Sequence, residues 1–244
     1  MALVASLPAS AQAMNVGYSA LTTPRCERSR PYERAQPHTY VVAAIGDSLT
    51  DTRVGGGLYM RHLARLCPES RFDAYGVGGQ RTEHMRWRFM HDVFGVGARR
   101  KPPAYTHLIV LGGVNDLSAG SVGMSRTTRI RANLSYMYAA AALRGVEVIA
   151  LTVPPWGLLR GVPDARVNAT LELNRWITTR PAAGEVAFAL DIGPLLRCPE
   201  DTDEASSVLC APYRRFSDDL IHWNAAGHRR VAELLKQRVF ADCR

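Results

Sequence analysis

Lysine is scarce in this sequence, long apolar runs are absent, and the cysteines are few and scattered. Only Lys101 and Lys236 are lysines, so the other 28 of the 30 basic residues are arginines. No apolar run approaches the roughly 20 residues that a membrane-spanning helix needs, so we predict no such helix. None of the five cysteines forms a C-x-x-C pair, which argues against a zinc site or a redox motif.

The remaining composition is that of a globular protein long enough for one sizeable α/β domain. The 244 residues are 47% apolar and 21% charged, and the formal net charge is +8. This charge would suit an anionic substrate or surface, or it reflects a GC-rich genome. The basic clusters are short, dispersed and not interleaved with aromatic residues, so we predict no nucleic-acid partner.

The first 37 residues differ from the rest and are predicted to be an N-terminal extension. The stretch MALVASLPASAQA is apolar and ends in the A-x-A cleavage pattern Ala11-Gln12-Ala13, but it lacks a basic start. We expect residues 1–13 to be a truncated signal peptide and the protein to be exported, with a disordered tail as the alternative. Residues 14–37 are then an irregular lead-in, and residues 38–244 form the folded domain.

Two of the cysteines are placed to form a disulfide, which would agree with export. Cys198 and Cys210 flank the polar loop PEDTDEASSVL and can close it. The alternative is that all five cysteines are free thiols. Export therefore predicts fewer than five titratable thiols in the unfolded, unreduced protein, and a count of five would argue against disulfides.

From residue 40 onwards, short apolar runs alternate with amphipathic segments of helix length. This alternation predicts a parallel sheet covered by helices on both faces, which is a three-layer α/β/α sandwich. The candidate strands are Tyr40–Ile45, Phe72–Tyr75, His107–Leu111, Glu147–Thr152 and Ala187–Asp191. The candidate helices lie near residues 57–66, 81–92, 126–144, 165–179 and 225–240.

Glycine-rich and polar blocks follow the strands, at the edge where parallel sheets bind their ligands. The blocks are Gly46-Asp47-Ser48-Leu49, Gly76-Val77-Gly78-Gly79, Gly113-Val114-Asn115-Asp116 and, before the last helix, Asp218-Asp219-Leu220-Ile221-His222. A plain turn explains each block taken alone. Together, in this order, they favour one shared site.

Ser48 and His222 are candidates for a nucleophile and its general base. A serine hydroxyl needs a base to remove its proton, and a histidine base needs a carboxylate to fix its tautomer. Asp219 lies three residues before His222, so in a tight turn its carboxylate reaches Nδ1 and leaves Nε2 for the serine. Asp218 is the competing carboxylate, and a surface histidine preceding a helix is the alternative for His222.

Acyl transfer also needs donors for the oxyanion of its tetrahedral intermediate. A glycine in a tight loop offers its backbone N–H, and an asparagine offers its side-chain amide. Gly79 and Asn115 follow neighbouring strands, so both can reach the point that the N–H of Ser48 faces. We therefore predict an oxyanion hole made by these three residues.

The four ordered blocks resemble those of the SGNH hydrolases, also called GDSL esterases and lipases, over about residues 40–240. The resemblance implies a five-stranded parallel sheet in flavodoxin-like order. It also implies roles for five residues: Ser48 as nucleophile, Asp219 and His222 as its triad partners, and Gly79 and Asn115 as oxyanion donors.

Three details of the resemblance stay open. The choice of Gly79 over Gly78 depends on the alignment. An asparagine often found near the start of the glycine block is absent, because Ala74-Tyr75 stand there. The α/β-hydrolase elbow G-x-S-x-G fits less well, since Thr50 stands in place of its last glycine.

The resemblance implies a carboxylic ester hydrolase that acts through an acyl-enzyme and requires no metal or organic cofactor. No long apolar lid is evident, which favours short-chain esters of small molecules or acetyl groups on a glycan. Trp156 is a candidate to bind the substrate, and the alternative is that it anchors its loop. Arg53 and Arg81 are candidates to bind an anionic substrate, and the alternative is that they are ordinary surface arginines. A lipase, lysophospholipase, thioesterase, acyltransferase or non-catalytic binding module stays an alternative.

Overall fold

The computed structural model describes residues 37–118, 124–157, 165–201 and 208–244. Within these ranges the strands are β1 Val41–Gly46, β2 Arg71–Gly76, β3 His107–Leu111, β4 Glu147–Leu151 and β5 Phe188–Leu190. All pair in parallel, in the order β2-β1-β3-β4-β5. The predicted five-stranded parallel sheet and its flavodoxin-like order are confirmed.

Helices connect the strands and cover the sheet. They are α1 Leu58–Leu66, α2 Thr82–Asp92, α3 Val114–Ser118, α4 Met124–Ala142, α5 Ala165–Thr178, α6 Gly193–Leu196 and α7 Ala225–Arg238. The predicted helices agree with α1, α2, α4, α5 and α7 to within two residues at each end. The short helices α3 and α6 were not predicted, because four or five residues carry no helical periodicity.

The core lies on both faces of the sheet, as the near-continuous apolar strands require. In β1, Ala43 and Ile45 face the cluster that contains residues of α2, α4 and α5. Val42 and Ala44 face the opposite cluster, which contains residues of α1 and α7. The alternation follows from the two-residue repeat of a strand and confirms the three-layer sandwich.

Three strands end level at the edge that carries the motifs. Gly46, the last residue of β1, pairs with Gly76 of β2 and with Leu111 of β3. β1 lies between β2 and β3, so the next two strands along the chain are on opposite sides of it. This edge is therefore a topological switch point, where open α/β sheets bind their ligands. Gly76 must be glycine, because a Cβ there would overlap the backbone of Thr50 and Asp51. The loops after β1 and β2 are therefore packed against each other.

Two disulfides are present within the described ranges. The expected Cys198–Cys210 bond is confirmed, with a Cα–Cα distance of 4.8 Å. A second bond joins Cys67 after α1 to Cys243 near the C-terminus, with a Cα–Cα distance of 5.3 Å. The predictions for residues 1–36, which include the signal peptide and Cys26, lie outside the described ranges. No helix of the described residues is long and apolar enough to cross a membrane.

Candidate active site

Ser48 lies in a tight turn directly after β1. The N–H groups of Thr50 and Asp51 both donate to the carbonyl oxygen of Asp47, each at 3.0 Å. The turn is buried, and Ser48 itself is 8% exposed. The serine is therefore held at the carboxyl edge of a central strand by core packing and backbone hydrogen bonds.

The side chains of Ser48, His222 and Asp219 form a continuous hydrogen-bonded chain. Ser48 Oγ lies 2.8 Å from His222 Nε2. On the other side of the ring, Nδ1 lies 3.1 Å from Asp219 Oδ2 and 3.2 Å from Asp219 Oδ1. The structure thus brings together residues 174 positions apart in sequence, and the carboxylate at the histidine is that of Asp219, as expected.

Asp219 is fixed by the backbone of its own turn. Its Oδ1 accepts hydrogen bonds from the N–H groups of Ile221 at 3.0 Å and His222 at 2.8 Å. Partial burial raises the pKa of Asp219, but these N–H donors and the His222 ring outweigh burial, so the pKa lies below its ordinary value. The carboxylate is therefore ionised at neutral pH and can orient the imidazole with Nδ1 protonated.

The glycine loop lies beside the serine, and its N–H groups have different partners. The N–H of Gly78 donates to Asp51 Oδ2 at 2.9 Å. Gly79 has a φ of +73°, in the left-handed region that favours glycine. Within the described residues the N–H groups of Ser48 and Gly79 donate no hydrogen bond. They remain available to an oxyanion, whereas that of Gly78 is engaged.

Asn115 lies in the first turn of α3 and contacts the same loop. Its Nδ2 donates to the carbonyl oxygen of Gln80 at 3.0 Å, which fixes the amide plane. A side-chain amide has two N–H donors, so one remains for a ligand. The structure therefore places Asn115 next to Gln80, the residue that follows Gly79, and its role as an oxyanion donor stays a prediction.

Asp51 is a component of the site that sequence reasoning did not assign. Besides Gly78, it binds the backbone N–H, Nε and Nη2 of Arg53 at 2.9 to 3.0 Å. These hydrogen bonds, led by that of the Arg53 side chain, lower the pKa of Asp51 to about 2. Asp51 thus ties the serine turn to the glycine loop as a permanent anion. The sequence signal was its place three residues after Ser48.

Two other carboxylates of the motifs are buried and structural. Asp47 accepts from the N–H of Leu49 at 3.0 Å, and burial raises the pKa of Asp47 to about 7. Asp116 accepts from the N–H of Thr82 at 2.8 Å and from its hydroxyl at 2.9 Å. The Asp116 contacts tie α3 to the first turn of α2, so they position the loops that carry Gly79 and Asn115.

Trp156 is placed as a packed residue of the loop after β4. It is 6% exposed, and its Nε1 donates to Thr170 Oγ1 at 3.1 Å. The loop also touches the segment that carries the histidine, because a Cβ on Gly157 would lie 2.6 Å from the Cβ of Leu220. These contacts fit the loop-anchor alternative, and a substrate contact by Trp156 stays a prediction.

The described residues offer no cluster of three or more histidine, cysteine, aspartate or glutamate side chains that could hold a metal ion. What the arrangement does offer is a serine hydroxyl at hydrogen-bond distance from an imidazole, which an ionised carboxylate orients. The backbone N–H groups of Ser48 and Gly79 have no partner among the described residues, and the Asn115 amide has a second N–H beside the one given to Gln80. This is the set of groups that acyl transfer through a serine requires.

Comparisons with known proteins agree with this chemistry. The sequence model of the GDSL-like Lipase/Acylhydrolase family matches residues 44–230. No match to a curated protein sequence was found.

Similar solved structures share the fold at low sequence identity. A GDSL-like lipase from Bacteroides thetaiotaomicron is 18% identical, with a TM-score of 0.61 over 83% of this chain and 88% of that chain. An acetyl xylan esterase is 16% identical, with a TM-score of 0.63 over 82% and 99%. An acetylxylan esterase from Geobacillus stearothermophilus is 16% identical, with a TM-score of 0.61 over 86% and 99%. Because the family match spans most of the chain, this protein belongs to the GDSL-like lipase/acylhydrolase family and is a carboxylic ester hydrolase.

Proposed function

We propose that the protein removes short acyl groups, chiefly acetyl groups, from a carbohydrate through a covalent intermediate on Ser48. The observation that carries the mechanism is the chain of contacts from Ser48 Oγ to His222 Nε2 at 2.8 Å and from His222 Nδ1 to Asp219 Oδ2 at 3.1 Å. The support for the substrate class is the likeness in fold to two acetyl xylan esterases.

In the first half-reaction, Ser48 Oγ bonds to the carbonyl carbon while His222 Nε2 accepts its proton. The resulting oxyanion accepts hydrogen bonds from the N–H groups of Ser48 and Gly79 and from Asn115 Nδ2. His222 then returns the proton to the leaving alcohol oxygen, and the bond between that oxygen and the carbonyl carbon breaks. The sugar hydroxyl departs and the acyl group remains on Ser48.

In the second half-reaction, water replaces the alcohol. His222 Nε2 takes a proton from the water as its oxygen bonds to the acyl carbon, and the same three donors hold the oxyanion. The proton then passes to Ser48 Oγ as the carboxylic acid leaves. Asp219 stabilises the imidazolium in both halves and does not itself take the proton.

The test is release of p-nitrophenol from the acetate, butyrate and octanoate esters by the wild type, Ser48→Ala and, as a control, Ser135→Ala on α4. We expect the acetate to be cleaved fastest. Ser48→Ala should lower kcat by roughly 10⁴- to 10⁶-fold, because the nucleophile is lost, and Ser135→Ala should match the wild type. Equal activity of Ser48→Ala would remove Ser48 from the mechanism. Fastest cleavage of octanoate would instead support a lipase or thioesterase.

An acyltransferase would use the same residues with a sugar hydroxyl in place of water. Product analysis with an added alcohol acceptor distinguishes the two reactions. We expect free acetate to exceed transferred ester, and the reverse ratio would overturn the hydrolase assignment.

A further inference from the structure

A cleft with a volume of about 360 Å³ adjoins the loops proposed to hold the oxyanion. It lies along α2 and the start of α4. We name it the basic cleft after its four arginines, and its lining includes Arg81, Arg86, Arg126, Arg129, Trp87 and Asn133. Nothing in the proposed hydrolysis uses these six residues.

Two residues that line the basic cleft adjoin the proposed oxyanion donors along the chain. Arg81 stands two residues after Gly79, so their Cα atoms are at most about 7.6 Å apart. On the other side, Asp116 lines the cleft and directly follows Asn115. Gly79 and Asn115, the two residues proposed to donate to the oxyanion beside Ser48, are thus each within two positions of a residue that lines the cleft.

The charge of the cleft is positive. Two carboxylates, Glu83 and Asp116, line it beside the four arginines. Both oxygens of Asp116 already accept hydrogen bonds from Thr82, and burial raises the pKa of Asp116 above its ordinary value. Arg81 and Arg129 form no ion pair with any described residue. The charge of Arg81 acts on Asp116, whose pKa it lowers, and the guanidinium of Arg129 is left to bind an anion.

Arg86 is held in position by side chains of α4. The Arg86 guanidinium lies 4.5 Å from the centre of the Tyr136 ring, and Nη1 donates to Asn133 Oδ1 at 3.3 Å. The buried Asn133 amide in turn donates to Thr82 Oγ1 at 3.2 Å. The Arg86 guanidinium is therefore held against α4 by Tyr136 and Asn133.

Trp87 adds an aromatic surface to the cleft. The side chain is 68% exposed, and its contact with a ring of the described residues is an edge contact with His84 at 5.3 Å between centroids. An exposed indole face next to guanidinium groups suits a ring that is apolar on one face and carries an anionic substituent. A sugar ring with a carboxylate has both properties.

We propose that the basic cleft binds the carboxylate of an acidic sugar whose acetyl ester is cleaved at Ser48. This assignment rests on the proposed function and narrows its substrate class to acetylated uronic acids. Arginines bind carboxylates with two parallel hydrogen bonds, so the cleft selects a charged sugar over a neutral one and fixes its orientation.

The test compares two tetraacetates that differ only in the carboxylate on the fifth ring carbon, tetra-O-acetylglucuronic acid and tetra-O-acetylxylopyranose. The ratio of their kcat/KM values is measured for the wild type, for Arg86→Gln/Arg129→Gln and for the control Arg238→Gln. Arg238 is exposed at the far end of α7, about 20 Å along the helix from Ala225.

We expect the wild type and Arg238→Gln to prefer the uronic acid by about tenfold, since each charge-assisted hydrogen bond contributes about 1.5 kcal/mol or more. The double variant should bring the ratio close to one by slowing cleavage of the acid alone. A wild-type ratio near one, or an unchanged ratio in the double variant, would overturn the proposal. Faster cleavage of 1-acetylglycerol 3-phosphate than of the uronic acid would overturn the sugar assignment.

A binding measurement separates this proposal from the proposed function. The acetylated uronic acid is titrated calorimetrically into Ser48→Ala with and without the two arginine changes. One outcome is that binding depends on the arginines while the wild type cleaves no ester. This would support carboxylate binding by the cleft and refute the hydrolase mechanism. Cleavage of both tetraacetates without arginine-dependent binding would refute the cleft alone.

Discussion

The two sides of the proposed triad are held in place by different means. The serine turn, residues 47–51, is buried throughout, and its neighbour Gly76 leaves no room for a Cβ. The histidine segment, residues 214–222, is half-buried or exposed along its length. Its position depends on hydrogen bonds such as that from the N–H of Arg215 to the carbonyl oxygen of His222 at 2.9 Å.

This difference separates stability from activity. The proposed nucleophile is positioned by the core, so a change in the serine turn should affect folding and catalysis together. The proposed base is positioned by local hydrogen bonds near the surface, so a change in the histidine segment should affect catalysis while folding is retained. The following substitutions test this contrast, beginning with the largest expected effect.

Asp219→Asn should lower kcat by roughly 10³- to 10⁴-fold with little change in Tm. The asparagine keeps an oxygen for the N–H groups of Ile221 and His222, but it no longer stabilises the imidazolium. Asp218→Asn is the matched control, because Asp218 is the exposed neighbour. Ester hydrolysis and thermal melting of both variants provide the check. Equal losses in the two variants would contradict the assignment of Asp219.

Asp51→Ala should lower kcat by about 10- to 100-fold and also destabilise the fold. It removes the acceptor of the Gly78 N–H and the cap of the short turn at residues 52–54, and loss of such a cap costs about 0.5–2 kcal/mol. Arg53→Gln retains that acceptor and loses an ion pair whose arginine side chain is 68% exposed. Exposed pairs contribute about 0–1 kcal/mol, so this control should change little. If Arg53→Gln matched Asp51→Ala, the ion pair and not the glycine loop would be the important contact.

Asp47 should make the free energy of unfolding fall with pH, whereas a carboxylate in an ordinary ion pair makes it rise. Burial raises its pKa from 3.8 to about 7, so between these values the folded protein binds more protons at this site than the unfolded chain. The contribution of Asp47 to the free energy of unfolding should therefore fall as pH rises from about 4 to about 7 and level off above. Asp219, with its lowered pKa, contributes stability above the ordinary carboxyl pKa that is lost at lower pH.

Denaturant unfolding of the wild type and Asp47→Asn across this pH range isolates the effect. Because the asparagine cannot ionise, it changes the free energy of unfolding by an amount that does not depend on pH. The free energy of unfolding of Asp47→Asn relative to the wild type should therefore increase with pH. Parallel curves for the two proteins would show that Asp47 is ionised in the folded state.

Much of the site was predictable because it lies at strand ends. Ser48, Gly79 and Asn115 each follow a strand, and parallel strands bring those ends to one edge of the sheet. The spacing of Asp219 and His222 determined their contact, because a side chain three residues away in a turn is within reach. Patterns of this kind predict contacts well, because they depend only on strand ends and on residues close in sequence.

The features that sequence reasoning missed depend on contacts between distant residues. The bond from Asp51 to Gly78 spans 27 positions, and the Cys67–Cys243 disulfide spans 176. Neither leaves a periodic signal. The sequence left two interpretations of Trp156, a substrate contact or a loop anchor. Its burial depends on packing against α5, and that packing cannot be deduced from the sequence. Export of the protein stays a prediction.

The most direct test of the central claim is covalent labelling of the nucleophile. The wild type, Ser48→Ala and Ser135→Ala are treated with diethyl p-nitrophenyl phosphate, and the modified peptide is identified by mass spectrometry. We predict one diethylphosphoryl group on Ser48 in the wild type and in Ser135→Ala, and none in Ser48→Ala. Labelling of another residue, or full esterase activity in the presence of the reagent without label on Ser48, would contradict the account.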